Sequence, residues 1–512
     1  MKYLKFMKKL IILLLSITIF LPFNLFGQPP KAFLPKYPIK KKPIWQEGRE
    51  FKEGRKFKNS DNYTPVSLTI DELTISISEK IGTIKPLLGV NAGPTPSGEQ
   101  GNADLTEQYQ TYGINAVRTH DFYGPFDLSQ IYPNINAPPE NPSSYNFSAS
   151  DEIFEKIIQT GCMVYLRVGD SYNNVRIPGN PQERSNLTRA AVEVVRHYKK
   201  MADTLKRKST SIMYVEIWNE PDFNHFWSAG LEDFQGFFIE TFLAMKREFP
   251  DIKIGGPGFA VPSYKMSSDK EKTAHFLEAL KENSISPDFL SFHLYSNNPN
   301  EFYDIVKYYR SLLKNTGIEN CELHITEWNT DRMNTDISLI TGEKTASYFT
   351  ASWIALQKAE VDMSFIYRGT DTSPDFEEFY GIFYADGRPK PSATALKLCS
   401  EFSAYQNKVI LHTGIPTIDS EPQPETQPSP IWLIGGEKET GEKAILITNI
   451  SSQEYKITLD NSFKVKYINV SEIQGTTDIK EYIWKEKTIT IPANSVLLLE
   501  IPKRCGCSFL TL

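Results

Sequence analysis

The sequence predicts an α/β protein: a (β/α)8 TIM barrel joined to an accessory β-sandwich domain formed from N- and C-terminal segments. Three observations carry that expectation. Between residues 84 and 410, eight short apolar runs alternate with amphipathic stretches, which is the rhythm of a parallel barrel. Before residue 84 and after residue 430, runs of alternating apolar and polar residues sit between polar turns, as in a sandwich. A chain of 512 residues, 40% hydrophobic and 12% aromatic, also has the length and apolar content for two or three buried cores.

The elements follow in chain order. Lys2, Lys5, Lys8 and Lys9 precede an apolar run from Leu10 to Leu21, a break at Pro22 and a small residue at Gly27. That reads as an export signal over residues 1–27, with a run shorter than the roughly 20 residues of a membrane span. The expected location is secreted, periplasmic or cell-surface, with no stable membrane insertion once the signal is removed. Residues 28–62 are rich in Pro, Lys, Arg and Gly and read as a basic flexible segment. Within 63–83, Val66-Ser-Leu-Thr-Ile70 and Leu73-Thr-Ile-Ser-Ile77 read as strands that join the sandwich. The barrel strands are expected at Leu87–Asn91, Ala116–His120, Met163–Val168, Tyr214–Glu220, Ile252–Pro257, Phe289–Tyr295, Glu322–Glu327 and Met363–Tyr367. A helix near 391–406 closes the barrel, and 411–430 reads as a Pro-rich linker. The sandwich, 431–503, shows strands near 431–434, 443–448, 455–459, 465–470 and 488–491, before a 504–512 tail.

Composition narrows the function. A net charge of −6 argues against nucleic acid as a partner. Five cysteines in a chain of this size do not make a disulfide scaffold. Cys162, Cys321 and Cys399 read as small buried residues, and Cys505 and Cys507 as a tail pair.

The chemistry sits at strand ends. Glu220 closes Tyr214-Val-Glu-Ile-Trp-Asn-Glu-Pro-Asp222, and Glu327 closes Cys321-Glu-Leu-His-Ile-Thr-Glu-Trp-Asn329. In a barrel, side chains at the carboxyl ends of strands point into one mouth. Two carboxylates there, about 5–5.5 Å apart, are what retaining glycoside hydrolysis needs: an acid/base and a nucleophile. One must hold a proton and the other stay ionised, which suits a nearby cation such as Arg118. The same geometry gathers Arg118 and His120 from strand two, Arg167 or Asp170 from strand three and Asn219 from strand four. Strand six adds His293 and Tyr295, and strand eight adds Tyr367 and Arg368. Trp328 is expected to form an apolar platform against a sugar, while Trp218 packs beneath Asn219. The histidines lie on separate strands and read as hydrogen-bonding groups, so neither a metal nor a cofactor is expected.

Trp218-Asn-Glu-Pro221 and Thr326-Glu-Trp-Asn329 resemble the clan A retaining glycoside hydrolases. In detail they resemble glycoside hydrolase family 39, the family of β-xylosidases and α-L-iduronidases. Val117-Arg-Thr-His120, Tyr145-Asn-Phe147 and Ser291-Phe-His-Leu-Tyr295 fit as well, as do the sandwich flanks. The resemblance implies Glu220 as acid/base and Glu327 as nucleophile, with His120, Asn219, His293 and Tyr295 lining a sugar subsite. It implies a β-xylosidase-like enzyme, or one acting on a related plant or algal oligo- or polysaccharide. Two other readings use the same residues: a transglycosylase, and a non-catalytic carbohydrate-binding protein on a degenerate barrel. The loops 122–142 and 171–181 depart from the family pattern, and no basic set for an iduronate carboxylate aligns.

Overall fold

A computed structural model describes residues 65, 68, 72–94, 103–120, 124–171, 174–205, 213–260, 267–331, 336–371, 380–419, 421–422, 427–463, 466–475 and 477–503. The expected export signal, basic segment and cysteine tail lie outside the described residues, as does most of the expected strand at 66–70.

The first strand, β1 (Glu72–Thr83), belongs to the accessory sheet. Eight parallel strands then close into a barrel: β2 (Gly89–Asn91), β3 (Ala116–Arg118), β4 (Met163–Val168), β5 (Tyr214–Ile217), β6 (Lys253–Phe259), β7 (Phe289–Tyr295), β8 (Glu322–Asn329) and β9 (Met363–Ile366). β2 pairs in parallel with both β3 and β9, which seals the ring. The predicted fold class is therefore borne out. The barrel interior below the mouth is filled with rings. Tyr165 and Phe365 are 4.6 Å apart, and Phe289 stacks on His324 at 4.4 Å. Such a plug makes the barrel a packed core rather than a pore.

The accessory domain is one nearly closed sheet of nine strands. To β1 it adds β10 (Asn407–His412), β11 (Ile431–Glu437), β12 (Lys443–Asn449), β13 (Tyr455–Leu459), β14 (Ile468–Gln474), β15 (Lys480–Trp484), β16 (Thr488–Ile491) and β17 (Ser495–Ile501). Their order is β15-β14-β17-β12-β11-β10-β1-β13-β16. β1 is inserted between the antiparallel β10 and the parallel β13. Strand alternation then builds two interfaces from one sheet. Leu73, Ile75, Ile431, Leu433, Ile445 and Leu497 fill the core of the sheet itself. Trp432, Ile434, Leu446 and Leu498 face the other way and join the barrel core.

Two barrel helices take up that second face. One is α1 (Thr345–Ala359), in which every residue but Lys358 is buried, and the other is α2 (Pro391–Ser403). A helix buried on nearly every side must be covered from both directions, and α1 is held between barrel and sheet. The Thr448 hydroxyl donates to the Ser347 carbonyl at 3.0 Å across that seam. Cys162, Cys321 and Cys399 are buried free thiols, as their settings in the sequence suggest.

Candidate active site

Two backbone irregularities aim the carboxylates. In β8, the registered pairs Phe292↔Ile325 and His293↔Glu327 leave Thr326 as an extra residue. Such a bulge turns all later side chains over. His324 stacks inside the barrel on Phe289, and two residues on a regular strand would put Thr326 inward and Glu327 outward. The bulge brings Glu327 inward and sends Trp328 out, against Phe302 and Phe349. The expected sugar platform at Trp328 is therefore corrected: this ring packs in the layer between strands and helices. The second irregularity follows β5. Trp218 (φ 78°) and Glu220 (φ 48°) adopt left-handed conformations although neither is glycine. Strain of about 1–3 kcal/mol per residue persists only where surrounding contacts hold it, commonly at functional sites. Here Trp218 is locked against Trp227 and Phe237, and the Glu220 N–H donates to the Gly258 carbonyl at 3.0 Å.

Arg118 is the hub of the mouth. Its Nε reaches Glu216 at 2.6 Å, one Nη donates to Glu327 at 2.8 Å and to Asn91 at 2.9 Å, and the other donates to Asn219 at 2.7 Å. Burial opposes its charge, but Glu216 and Glu327 outweigh that and hold the guanidinium more firmly protonated than usual. Tyr295 donates to the other oxygen of Glu327 at 2.7 Å. Burial and the Glu327 charge push the phenol well up, so it remains a donor. Glu327, 5% exposed, is thus gripped on both oxygens.

Glu220 is more open and meets His293 Nδ1 at 2.8 Å. One oxygen of Glu220, one nitrogen of His293 and one oxygen of Glu327 all lie within 4.8 Å of each other. These three could ligate a metal ion, but the Arg118 cation shares Glu327 and would repel it. Burial holds His293 down to about 4, against the pull of Glu327, so the ring is neutral near neutral pH. His120 lies 3.4 Å from Glu327 and is kept neutral by burial, then by Arg167, Arg118, His293 and Arg368.

The structure brings Glu220, Glu327, Arg118, Asn219, His120, His293 and Tyr295 together. Tyr367 is beside them, 6.2 Å from the His120 ring and 6.3 Å from Tyr295, with Tyr380 completing an aromatic wall. Arg167 is tied to Asp127 at 2.7 Å, and Asp170 is turned to the Ser129 amide and hydroxyl. Sequence reasoning missed Asn91, Glu216, Tyr380 and Gly258. A charged residue inside the apolar run Val215-Glu216-Ile217 was the available signal for Glu216, since a buried carboxylate requires a partner.

Residues 87–336 match the model of the glycosyl hydrolases family 39. Over that span, just under half of the chain, the sequence is similar to this family. A β-xylosidase of Geobacillus stearothermophilus is 23% identical over 248 residues, which cover 43% of this chain and 47% of that enzyme. The chain thus spans about half the length of the curated relative it matches. Among solved structures, a glucosidase from Croceicoccus marinus has a TM-score of 0.67 at 20% identity, covering 86% of this chain and all (100%) of that one. A GH39 β-xylosidase from Caulobacter crescentus has a TM-score of 0.61 at 17% identity, covering 84% of this chain and 100% of its own. These likenesses show the shared fold.

Proposed function

We propose that the chain is an exported retaining glycoside hydrolase that acts by double displacement on a β-xyloside-like glycoside. The observation that carries the reading is the approach of Glu220 and Glu327 oxygens to within 4.8 Å. Retaining enzymes keep the two carboxyls about 5–5.5 Å apart, whereas inverting enzymes leave about 6.5–9.5 Å for a water.

Glu327 attacks the anomeric carbon. Arg118 and Tyr295 hold it aimed, and its two hydrogen bonds leave it little freedom to rotate. Glu220 delivers its proton to the leaving oxygen, then takes a proton from the water that releases the sugar from Glu327. Asn219 spends its carbonyl oxygen on Arg118, which leaves its amide N–H groups to donate to a sugar hydroxyl. Neutral His120 adds a hydrogen-bonding group without adding charge. The xyloside preference leans on the β-xylosidase relatives, and export leans on the pattern of residues 1–27.

Glu327→Ala should lose turnover and regain it with azide, yielding the inverted glycosyl azide. Glu220→Ala should hydrolyse only substrates with good leaving groups. Wild-type turnover in both variants on a cleaved substrate would end the assignment. A panel of aryl β-xyloside, β-galactoside, α-arabinoside and α-iduronide identifies the sugar. N-terminal sequencing of the mature protein tests export.

A further inference from the structure

Glu327 stands within a strand, but Glu220 does not. β5 ends at Ile217, and the chain reaches Glu220 through Trp218 and Asn219. The aim of its carboxyl is therefore set by a bend, and that bend runs against its own sequence. Pro221 presses the residue before it toward extended backbone, with φ about −120°. Glu220 instead has φ 48°. A residue other than glycine keeps such a backbone only where its neighbours fix it.

The neighbours lie on β6. The β5–β6 ladder starts at Tyr214↔Lys253, and its last registered pair is Glu216↔Gly255. Past that point two hydrogen bonds continue the attachment. The Glu220 N–H donates to the Gly258 carbonyl at 3.0 Å. Two residues on, both oxygens of the Asp222 carboxylate accept from the Ala260 N–H, at 3.0 and 3.2 Å. A side-chain oxygen here takes the place of a strand carbonyl. Ala260 is buried, so its N–H requires such a partner. The Phe223 N–H donates to the Glu220 carbonyl at 3.0 Å, which closes the turn on itself without tying it to β6. Beyond it the chain runs outward to the exposed Asn224 and His225.

We propose that Asp222 is a positioning residue for the acid/base: by pinning the far side of the bend to Ala260, it keeps the Glu220 backbone left-handed and its carboxyl beside Glu327. This inference rests on the reading of Glu220 as acid/base. Asp222 takes no part in the proton transfer, and it acts through the placement of an acceptor rather than through its charge. That charge does reach His293, where it favours the protonated ring, and His293 meets Glu220 at 2.8 Å. Geometry and charge are thus two routes from Asp222 to Glu220, and substitutions separate them.

Asp222→Asn keeps an acceptor in place and removes the charge. Asp222→Glu keeps the charge and moves the acceptor by one methylene. The assay is kcat/KM on two substrate classes: alkyl or sugar glycosides, whose leaving groups need an acid, and dinitrophenyl glycosides, whose leaving group does not. Asp222→Glu and Asp222→Ala should fall by about tenfold or more on the first class, within the range of general-acid effects, and far less on the second. Asp222→Asn should stay close to wild type on both. Equal losses on the two classes would mean a loosening that also reaches Glu327, and would overturn the proposal. An Asp222→Asn that falls as far as Asp222→Glu would overturn it too, because charge would then be the route. If Asp222→Ala fails to fold, the other two variants still decide. Glu220→Ala is measured beside them. If it shows no difference between the classes, the acid/base reading fails; if it shows one and Asp222→Glu does not, this inference alone fails.

Discussion

Arg118→Lys tests whether the geometry of the central cation matters beyond its charge. The guanidinium makes four hydrogen bonds from three nitrogens, to Glu216, Asn91, Glu327 and Asn219. An ammonium offers three donors from a single nitrogen and cannot reproduce the fork. At least one partner is abandoned, and both carboxylates are buried. Losing one buried, charge-assisted hydrogen bond costs about 1.5–3 kcal/mol. If that bond is the one to Glu327, the same energy appears in the attack step as a loss of about 10- to 150-fold. The assay is kcat/KM on dinitrophenyl glycosides, which on the proposed roles isolates the attack of Glu327 from acid catalysis. Thermal unfolding is followed in parallel, with an expected fall of several degrees. If both rate and midpoint stay at wild-type values, Arg118 acts as a simple charge and the argument from its fork is wrong.

Two further outcomes follow from the same geometry. Trp328→Ala removes a ring packed on Phe302 and Phe349, so it should destabilise the fold by about 3–5 kcal/mol in denaturant titration and leave KM within about twofold; a large rise in KM would return the ring to the mouth. His293 is held at about 4 against an ordinary value of 6.5, so the unfolded chain takes up its proton before the folded one does. Its contribution is present above pH 6.5 and lost as pH falls toward 4, about 3 kcal/mol across the window. Comparing unfolding at pH 7 and pH 4.5 in wild type and His293→Gln should show a steeper loss in the wild type, and parallel curves would refute it.

The barrel was legible because its strands are continuous apolar runs punctuated by turns. The two glutamates were legible because Asn-Glu-Pro and Thr-Glu-Trp stand where those runs stop. The bulge at Thr326 was not, because an extra residue changes no side-chain type and only strand register exposes it. That is why Trp328 was assigned to the wrong side of the strand. Glu216 was passed over because the eye goes to the strand end, while its role depends on the depth at which Arg118 lies. Three sheet strands also escaped notice. Asn407–His412 follows closely on a helix without a turn signal, Lys480–Trp484 opens on two charges at the sheet edge, and Ser495–Ile501 carries four consecutive apolar residues, Val496 to Leu499, without alternation.

The insertion of β1 into the accessory sheet bears on how the chain reaches its native state. Leu73 is registered with Ile457, and Ser76 with His412, so this strand waits through the synthesis of the whole barrel before either neighbour exists. Pairings of such sequence separation are slow to form, and an unpaired strand is an invitation to aggregate while it waits. A truncation at residue 84 would leave the eight barrel strands intact, yet it would open the sheet between β10 and β13 and expose two raw edges. The smallest portion that folds cleanly therefore starts before Glu72, well upstream of the first barrel strand.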